Sequence, residues 1–295
     1  MLKELAIGIC LALASVGSAH ADPDWTAVGK ALGKSGVQMP GGIYRIGLPR
    51  SDLKVTLDDV ELKPGLALGS WLAFKEMGNT DAMVMGDLVL TQPEVNPVMK
   101  KLAEDGIEIT ALHNHLLRAE PATMYMHVLG HGDPVKLATT LHAALQMSGT
   151  PLSDAPAGGA ASMTIDLDTA AVDQVLRHKG KISGGVYQVA IPRAEEIKDD
   201  GMDVPEAMGS AIAINFQSTG AGKAAITGDF VLVASEVNPV LRALSENGIE
   251  VTAVHNHMLD DEPRLFFMHF WANDNALKLA HGLRAALDKT NLKHS

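Results

Sequence analysis

The order of apolar and polar positions predicts a short set of elements that recurs along the chain. Residues 25–34 read as a helix, and Gly41-Gly42-Ile43-Tyr44 opens a strand. Residues 66–75 and 81–90 read as two strands of a hairpin. A helix follows, punctuated by Asn96 as N-cap, Pro97 at its first position and Gly106 as a left-handed residue past its end. Residues 107–116 alternate as a strand, 123–129 form another, and 134–146 carry the spacing of an amphipathic closing helix.

The same order then repeats. Gly86-Asp87-Leu88-Val89-Leu90 returns as Gly228-Asp229-Phe230-Val231-Leu232, and Glu94-Val95-Asn96-Pro97-Val98 as Glu236-Val237-Asn238-Pro239-Val240. Gly106-Ile107-Glu108-Ile109-Thr110-Ala111 returns as Gly248-Ile249-Glu250-Val251-Thr252-Ala253, and His113-Asn114-His115 as His255-Asn256-His257. The offset is 142 (255 − 113). A helix at 172–179 and a Gly184-Gly185-Val186-Tyr187 strand open the second copy. Such self-similarity marks an internal duplication. The expected fold is α+β: a tandem duplication of an antiparallel sheet with helices packed on one face, the two copies forming a pseudo-dimer. The domain boundaries read as 1–21 signal peptide, 22–147 first repeat, 148–164 a Gly/Pro/Ala/Ser-rich linker, and 165–295 second repeat.

The first 21 residues change the picture of location. Lys3, an apolar stretch at 5–16 and Ala19-His20-Ala21 fit a cleaved signal peptide. The single cysteine, Cys10, lies inside it and in no usable lipobox, so the expectation is a periplasmic or secreted protein without a lipid anchor, a thiol or an integral membrane segment in the mature chain. The formal charge of −11 argues against nucleic acid as a partner, which needs a clustered basic surface. No serine stands in a nucleophile elbow, and no glycine-rich phosphate loop follows a strand.

Candidate chemistry concentrates at the repeated His-Asn-His. In a strand, residues two apart share a face, so His113 and His115 are expected to continue the apolar row of Ile107, Ile109 and Ala111, with Asn114 opposite. If the next strand folds back through Glu120-Pro121, His127 comes opposite His113. Two imidazoles at i and i+2, a third on the neighbouring strand and a nearby carboxylate suit a tetrahedral metal. The expected ligands are His113, His115, Glu120 and His127 in one copy and His255, His257, Glu262 and His269 in the other. Zinc is the first candidate, then copper, manganese or iron. The competing bland reading is a His–Glu network that merely fixes a turn. Leu259-Asp260-Asp261 replaces Leu117-Arg118-Ala119, so the second site is expected to favour a cation more strongly. Asp87 and Asp229 read as turn or cap residues, and Arg50 and Arg193 as partners of an acid.

The block from Gly-Asp-Leu/Phe-Val-Leu through Glu-Val-Asn-Pro-Val to His-Asn-His resembles the LppY/LpqO family of exported bacterial proteins, which carry a domain of unknown function. That likeness spans both copies and implies export but no activity; the lipid anchoring in the family's name does not carry over, for want of a lipobox cysteine. Three readings of function follow. The first is binding of a divalent metal or small ligand at the duplicated His-x-His/Glu/His site. The second is a metal-dependent hydrolase acting on an envelope component, with Glu120 or Glu262 as general base. The third is a non-catalytic interaction module with structural His–Glu clusters.

Overall fold

Residues 82–90 are buried without a break, although antiparallel strands usually alternate between a covered and a wet face. Both faces of this strand are therefore covered, one by helices and one by the second copy. The computed structural model describes residues 23–78, 80–154 and 164–293. The signal-peptide reading, Cys10 and much of the linker lie outside those residues.

The first copy comprises α1 (Trp25–Leu32), β1 (Val37–Met39), β2 (Ile43–Pro49), the small pair β3 (Thr56–Leu57) and β4 (Val60–Glu61), and α2 (Pro64–Ala67). It continues with β5 (Gly69–Gly78), β6 (Asp81–Thr91), α3 (Gln92–Glu104), β7 (Glu108–His113), β8 (Thr123–Gly132) and α4 (Pro134–Leu145). The second copy begins with α5 (Thr169–Leu176), β9 (Lys181–Ser183), β10 (Val186–Ile191), β11 (Lys198–Asp199) and β12 (Met202–Asp203). After a 3-10 turn at Glu206–Met208 come β13 (Ile212–Gly220), β14 (Lys223–Val233), α6 (Ala234–Glu246), β15 (Glu250–His255), β16 (Asp261–Glu262), β17 (Leu265–Asn275) and α7 (Ala276–Leu287).

Each copy builds a six-stranded antiparallel sheet, in the order β1-β2-β5-β6-β8-β7 and its counterpart β9-β10-β13-β14-β17-β15. Helices α1, α3 and α4 cover one face of the first sheet through Val28, Leu102 and Leu141, which pack on Leu72, Val84, Leu88 and Met126. The fold is thus α+β with helices on one face of each antiparallel sheet, as the periodicity predicts. No helix among the described residues is long and apolar enough to cross a membrane.

The helix after the hairpin starts a turn earlier than Asn96 suggests. Glu94 accepts a hydrogen bond from the Thr91 amide at 2.7 Å, and Glu236 does the same for Val233 at 3.0 Å. A glutamate at the third helical position can hold the chain entry in this way, so Pro97 and Pro239 fall inside the helix. The predicted far end holds: Gly106 and Gly248 have φ of +82° and +72°.

The copies interlock through the segments that precede β5 and β13. In the first copy this segment receives hydrogen bonds from Asn215 and Gln188 at the Leu66 and Gly65 carbonyls, and the Lys63 amide donates to Gln217. From the other side, Arg45 donates to the Ala207 carbonyl and Lys75 to that of Asp203. One apolar cluster runs through both copies, joining Met83, Met85 and Leu129 to Met208, Met258 and Phe267.

Candidate metal centre between the two copies

A bulge decides where the histidines point. In β7, Ile109 pairs with Val128, but Ala111 pairs with His127, so Thr110 is an extra residue in the ladder. Residues facing each other across a ladder share a face, and one extra residue reverses the faces beyond it. Ile107 and Ile109 therefore point to the helices, whereas Ala111 and His113 point to the other copy. The expected continuous row from Ile107 to His113 is broken at this point. Thr252 does the same in β15, with Val251 opposite Phe270 and Ala253 opposite His269. Opposite His113 stands Tyr125, not His127.

The bulged threonines also tie the copies together. The Thr110 hydroxyl donates to the His257 carbonyl at 2.5 Å, and the Thr252 hydroxyl donates to that of His115 at 2.5 Å. Asn256 donates to the Thr110 carbonyl at 3.0 Å. Each His-Asn-His segment is thereby pinned by the other copy.

The six histidines consequently converge on one place. Each stacks on a histidine of the opposite copy: His113 on His255 with ring centroids 3.4 Å apart, His115 on His269 at 3.6 Å, and His127 on His257 at 3.7 Å. Tyr125 and Phe267, equivalent positions, close the outer faces of His115 and His257 at 3.4 Å each. The expectation of two separate sites, one per copy, gives way to a single shared cluster.

Asp87 and Asp229 supply the carboxylates. Each lies in mid-strand directly across from a histidine, Asp87 from His127 and Asp229 from His269. Asp87 Oδ1 is 3.9 Å from His127 Nε2, and Asp229 stands 3.6 Å from His257 and 3.8 Å from His269. The turn or cap role read for them from sequence is therefore corrected. Their signal was an acid in the middle of an apolar stretch of strand, after a glycine that cannot be larger: a Cβ on Gly86 would come within 2.8 Å of the Trp71 carbonyl.

Glu120 and Glu262, expected as ligands, are exposed and stand apart from the histidines. The backbone of Glu120 exchanges hydrogen bonds with Thr56, and Glu262 pairs with Lys198 in a small sheet. Their peptide bonds to the following prolines are both cis. The acids of the second turn are equally remote: Asp261 accepts from the Leu265 amide and pairs with Arg264, while Arg118 pairs with Asp58 and Glu250. The extra charge of that turn thus belongs to turn structure. Met126 and Met268 lie in the apolar cores. Arg50 is fully buried against Asp52 and Glu94, and Arg193 against Glu195 and Glu236.

Burial makes the cluster electrically unusual. It pushes His113 down to about 3 and His255 to about 4, with the neighbouring His255 adding to the effect on His113. Burial and then the other imidazoles hold His115, His127, His257 and His269 well below the ordinary histidine range. The rings are neutral at pH 7, each with one bare nitrogen. The other nitrogen is fixed in three of them: Nδ1 lies 2.8 Å from the Gly228 carbonyl in His269, and 3.0 and 3.4 Å from the following carbonyl in His255 and His113. A carbonyl only accepts, so Nδ1 carries the proton and Nε2 the lone pair, the tautomer of a metal ligand. Burial also raises the carboxyls, Asp87 to about 8 although Arg45 opposes the shift, and Asp229 well above the ordinary carboxylate range with Asp87 adding to the effect.

The family described as Domain of Unknown Function (DUF1259) matches residues 26–147 and again 170–289. The chain belongs to this family. It carries the domain twice, and each matched region supplies one aspartate and three histidines to the cluster. A search of the curated proteins finds no match. Among solved structures, a trimeric bacterial microcompartment shell protein, PduB, is 10% identical over 88% of this chain and 91% of its own, with a TM-score of 0.22. EtuB from Clostridium kluyveri is 9% identical over 86% and 90%, with a TM-score of 0.20. Likenesses this weak carry no argument about the chain.

Proposed function

We propose that this protein binds a divalent transition metal between its two copies, through His113, His115, His127, His255, His257 and His269 with Asp87 and Asp229. One observation carries the reading. All six Nε2 atoms, and one oxygen of each aspartate, are buried without a hydrogen-bond partner. Such an atom costs about 1–3 kcal/mol when left unpaired, and buried polar atoms almost always have partners. Eight of them aimed into one place are explained together by a cation that accepts their lone pairs.

The donor set selects the ion class. Imidazole suits zinc, copper, iron and nickel, whereas manganese, magnesium and calcium favour oxygen donors. With six imidazoles against two carboxylates we take zinc as the first candidate, then copper and iron, with manganese behind. Metal binding would also displace the protons that the buried carboxyls otherwise keep.

A hydrolase using Glu120 or Glu262 as general base gains no support, since both are remote from the histidines. We also read segment 1–21 as a cleaved export signal and the chain as akin to the LppY/LpqO proteins, which places the centre in the periplasm or outside the cell. Metal analysis of the purified protein tests the main reading. Stoichiometric zinc, copper or iron retained through dialysis supports it. Absence of metal after growth in supplemented medium, with melting unchanged by added Zn2+, Cu2+ or Fe2+, would sink it.

A further inference from the structure

The cluster has more donors than one ion can use, and they fall into matched sets. Six imidazole nitrogens and two carboxylates exceed the four ligands of zinc and the six of an octahedral ion. Asp87, His115 and His127 lie with their donor atoms within 4.8 Å of one another, and so do Asp229, His257 and His269. These two sets share no residue. Adding 142 to every number of the first gives the second, so the same relation that exchanges the copies exchanges the sets.

Resting on the metal reading, we infer that the centre holds two divalent cations, one at Asp87/His115/His127 and one at Asp229/His257/His269, with His113 and His255 between them. Distances favour this division. Two ligands about 2.1 Å from one ion, at angles of about 110–130°, lie about 3.4–3.8 Å apart. The carboxylate–imidazole separations within the sets are 3.9 Å for Asp87–His127, 3.6 Å for Asp229–His257 and 3.8 Å for Asp229–His269. These are too long for hydrogen bonds and suit donors that meet at a common ion. Three protein donors leave each ion a position for a further ligand, and His113 and His255 stand beside both sets.

A single ion between the copies cannot use every donor alike, because eight donors exceed its coordination number. Two further groupings reach the axial pair, His113 and His255: His113/His115/His255/His269 contains both, whereas His113/His127/His257 contains His113 and would need His255 to be its counterpart. Ring separations follow the same exchange: His113–His115 is 4.9 Å and His255–His257 5.0 Å, while His113–His127 is 5.1 Å and His255–His269 4.8 Å. Donors arranged in two equivalent off-axis groups are the arrangement of a two-ion centre, in which the ions sit about 3.5–4 Å apart.

Counting zinc in the purified protein after reloading with Zn2+ and dialysis decides the matter. Two zinc per chain are expected, falling to one in Asp87→Asn and to one in Asp229→Asn. A single zinc per wild-type chain would overturn the two-ion inference and leave the metal reading standing, whereas none would overturn both. Loss of both ions, or of neither, from a single aspartate variant would overturn the assignment of one carboxylate to each ion. Should a variant fail to fold, electron paramagnetic resonance of the Cu2+-loaded wild type still decides. Spin coupling between neighbouring ions supports the pair, and an isolated-ion spectrum at full loading overturns it.

Discussion

His113 and His255, the same residue of the two copies, stack with their ring centroids 3.4 Å apart and their planes 22° from parallel. Two imidazoles this close cannot both be protonated, so the contact belongs to a neutral pair. Their Nε2 atoms have no protein partner, and no Coulombic bond holds the stack together.

The first expectation concerns that pair. A ligand at 100 times its dissociation constant stabilises the fold by about 2.7 kcal/mol, which for a chain of this size raises the melting temperature by about 5–10 °C at about 2–4 °C per kcal/mol. Calorimetry with and without Zn2+ should show a rise of this order in the wild type. His113→Ala and His255→Ala should each reduce it to a small fraction. Equal zinc-dependent rises in wild type and variants would contradict a role for the axial histidines.

Acid and alkali should both weaken the metal-free protein, through different groups. His113 and His255 bind protons more weakly when folded, about 3 and 4, than the ordinary 6.5 of the unfolded chain. Their contribution is present above pH 6.5 and lost as pH falls toward 4. Asp87 is raised from 3.8 to about 8, so its contribution is present below pH 3.8 and lost as pH rises toward 8. The six histidines outnumber the two aspartates, so net stability should climb to about pH 6.5 and decline from there to pH 8. Urea unfolding across pH 4–8 in chelator reads this out, and a profile still rising between pH 6.5 and 8 would disagree.

Thr110 and Thr252 should act on metal affinity without touching metal. Thr110→Val keeps the side-chain shape but deletes the bond to the His257 carbonyl, at a cost of about 1 kcal/mol in stability. Groups that orient metal ligands change affinity by about 10–100-fold. Competition with a chromophoric chelator should show zinc held more weakly by about that factor in Thr110→Val and in Thr252→Val.

Glu120→Gln and Glu262→Gln should leave zinc content at the wild-type value. Their side chains are exposed and neither belongs to a group of converging donors. Zinc lost on either substitution would restore the ligand set that the His-x-His/Glu/His spacing suggests.

Arg50→Ala should destabilise strongly, by about 3–5 kcal/mol, because it strands half-buried Glu94 and removes the donor to the buried Val89 carbonyl. Chemical denaturation should find Arg193→Ala equally damaging, through Glu236 and Val231. Losses below 1 kcal/mol would mean that water replaces the guanidinium.

Much of the framework was legible because it is local. The alternation in 123–129, the apolar spacing of 134–146 and the glycines after each helix reproduce β8, α4 and the left-handed Gly106 and Gly248. The His-x-His pairs and the returning His127 and His269 were also legible as a donor set. Asn96 misled because it has the chemistry of an N-cap, while the capping was done by Glu94, whose interaction with Thr91 competes for the same turn.

The sequence by itself determined the duplication, the antiparallel α+β copies and the histidines that gather in one cluster. These depend on periods of two and 3.6 residues and on side-chain chemistry, which any stretch carries with it. Tertiary structure decided which carboxylates join the histidines. Glu120 is five residues from His115 along the chain, but Asp87 faces His127 across a ladder whose register is set by strand pairing. It decided, through the bulges at Thr110 and Thr252, that the histidines face the other copy and not the helices. The physical reason is the two-residue period of a strand: one unpaired residue reverses every side chain beyond it, and no local pattern in this chain announces that residue.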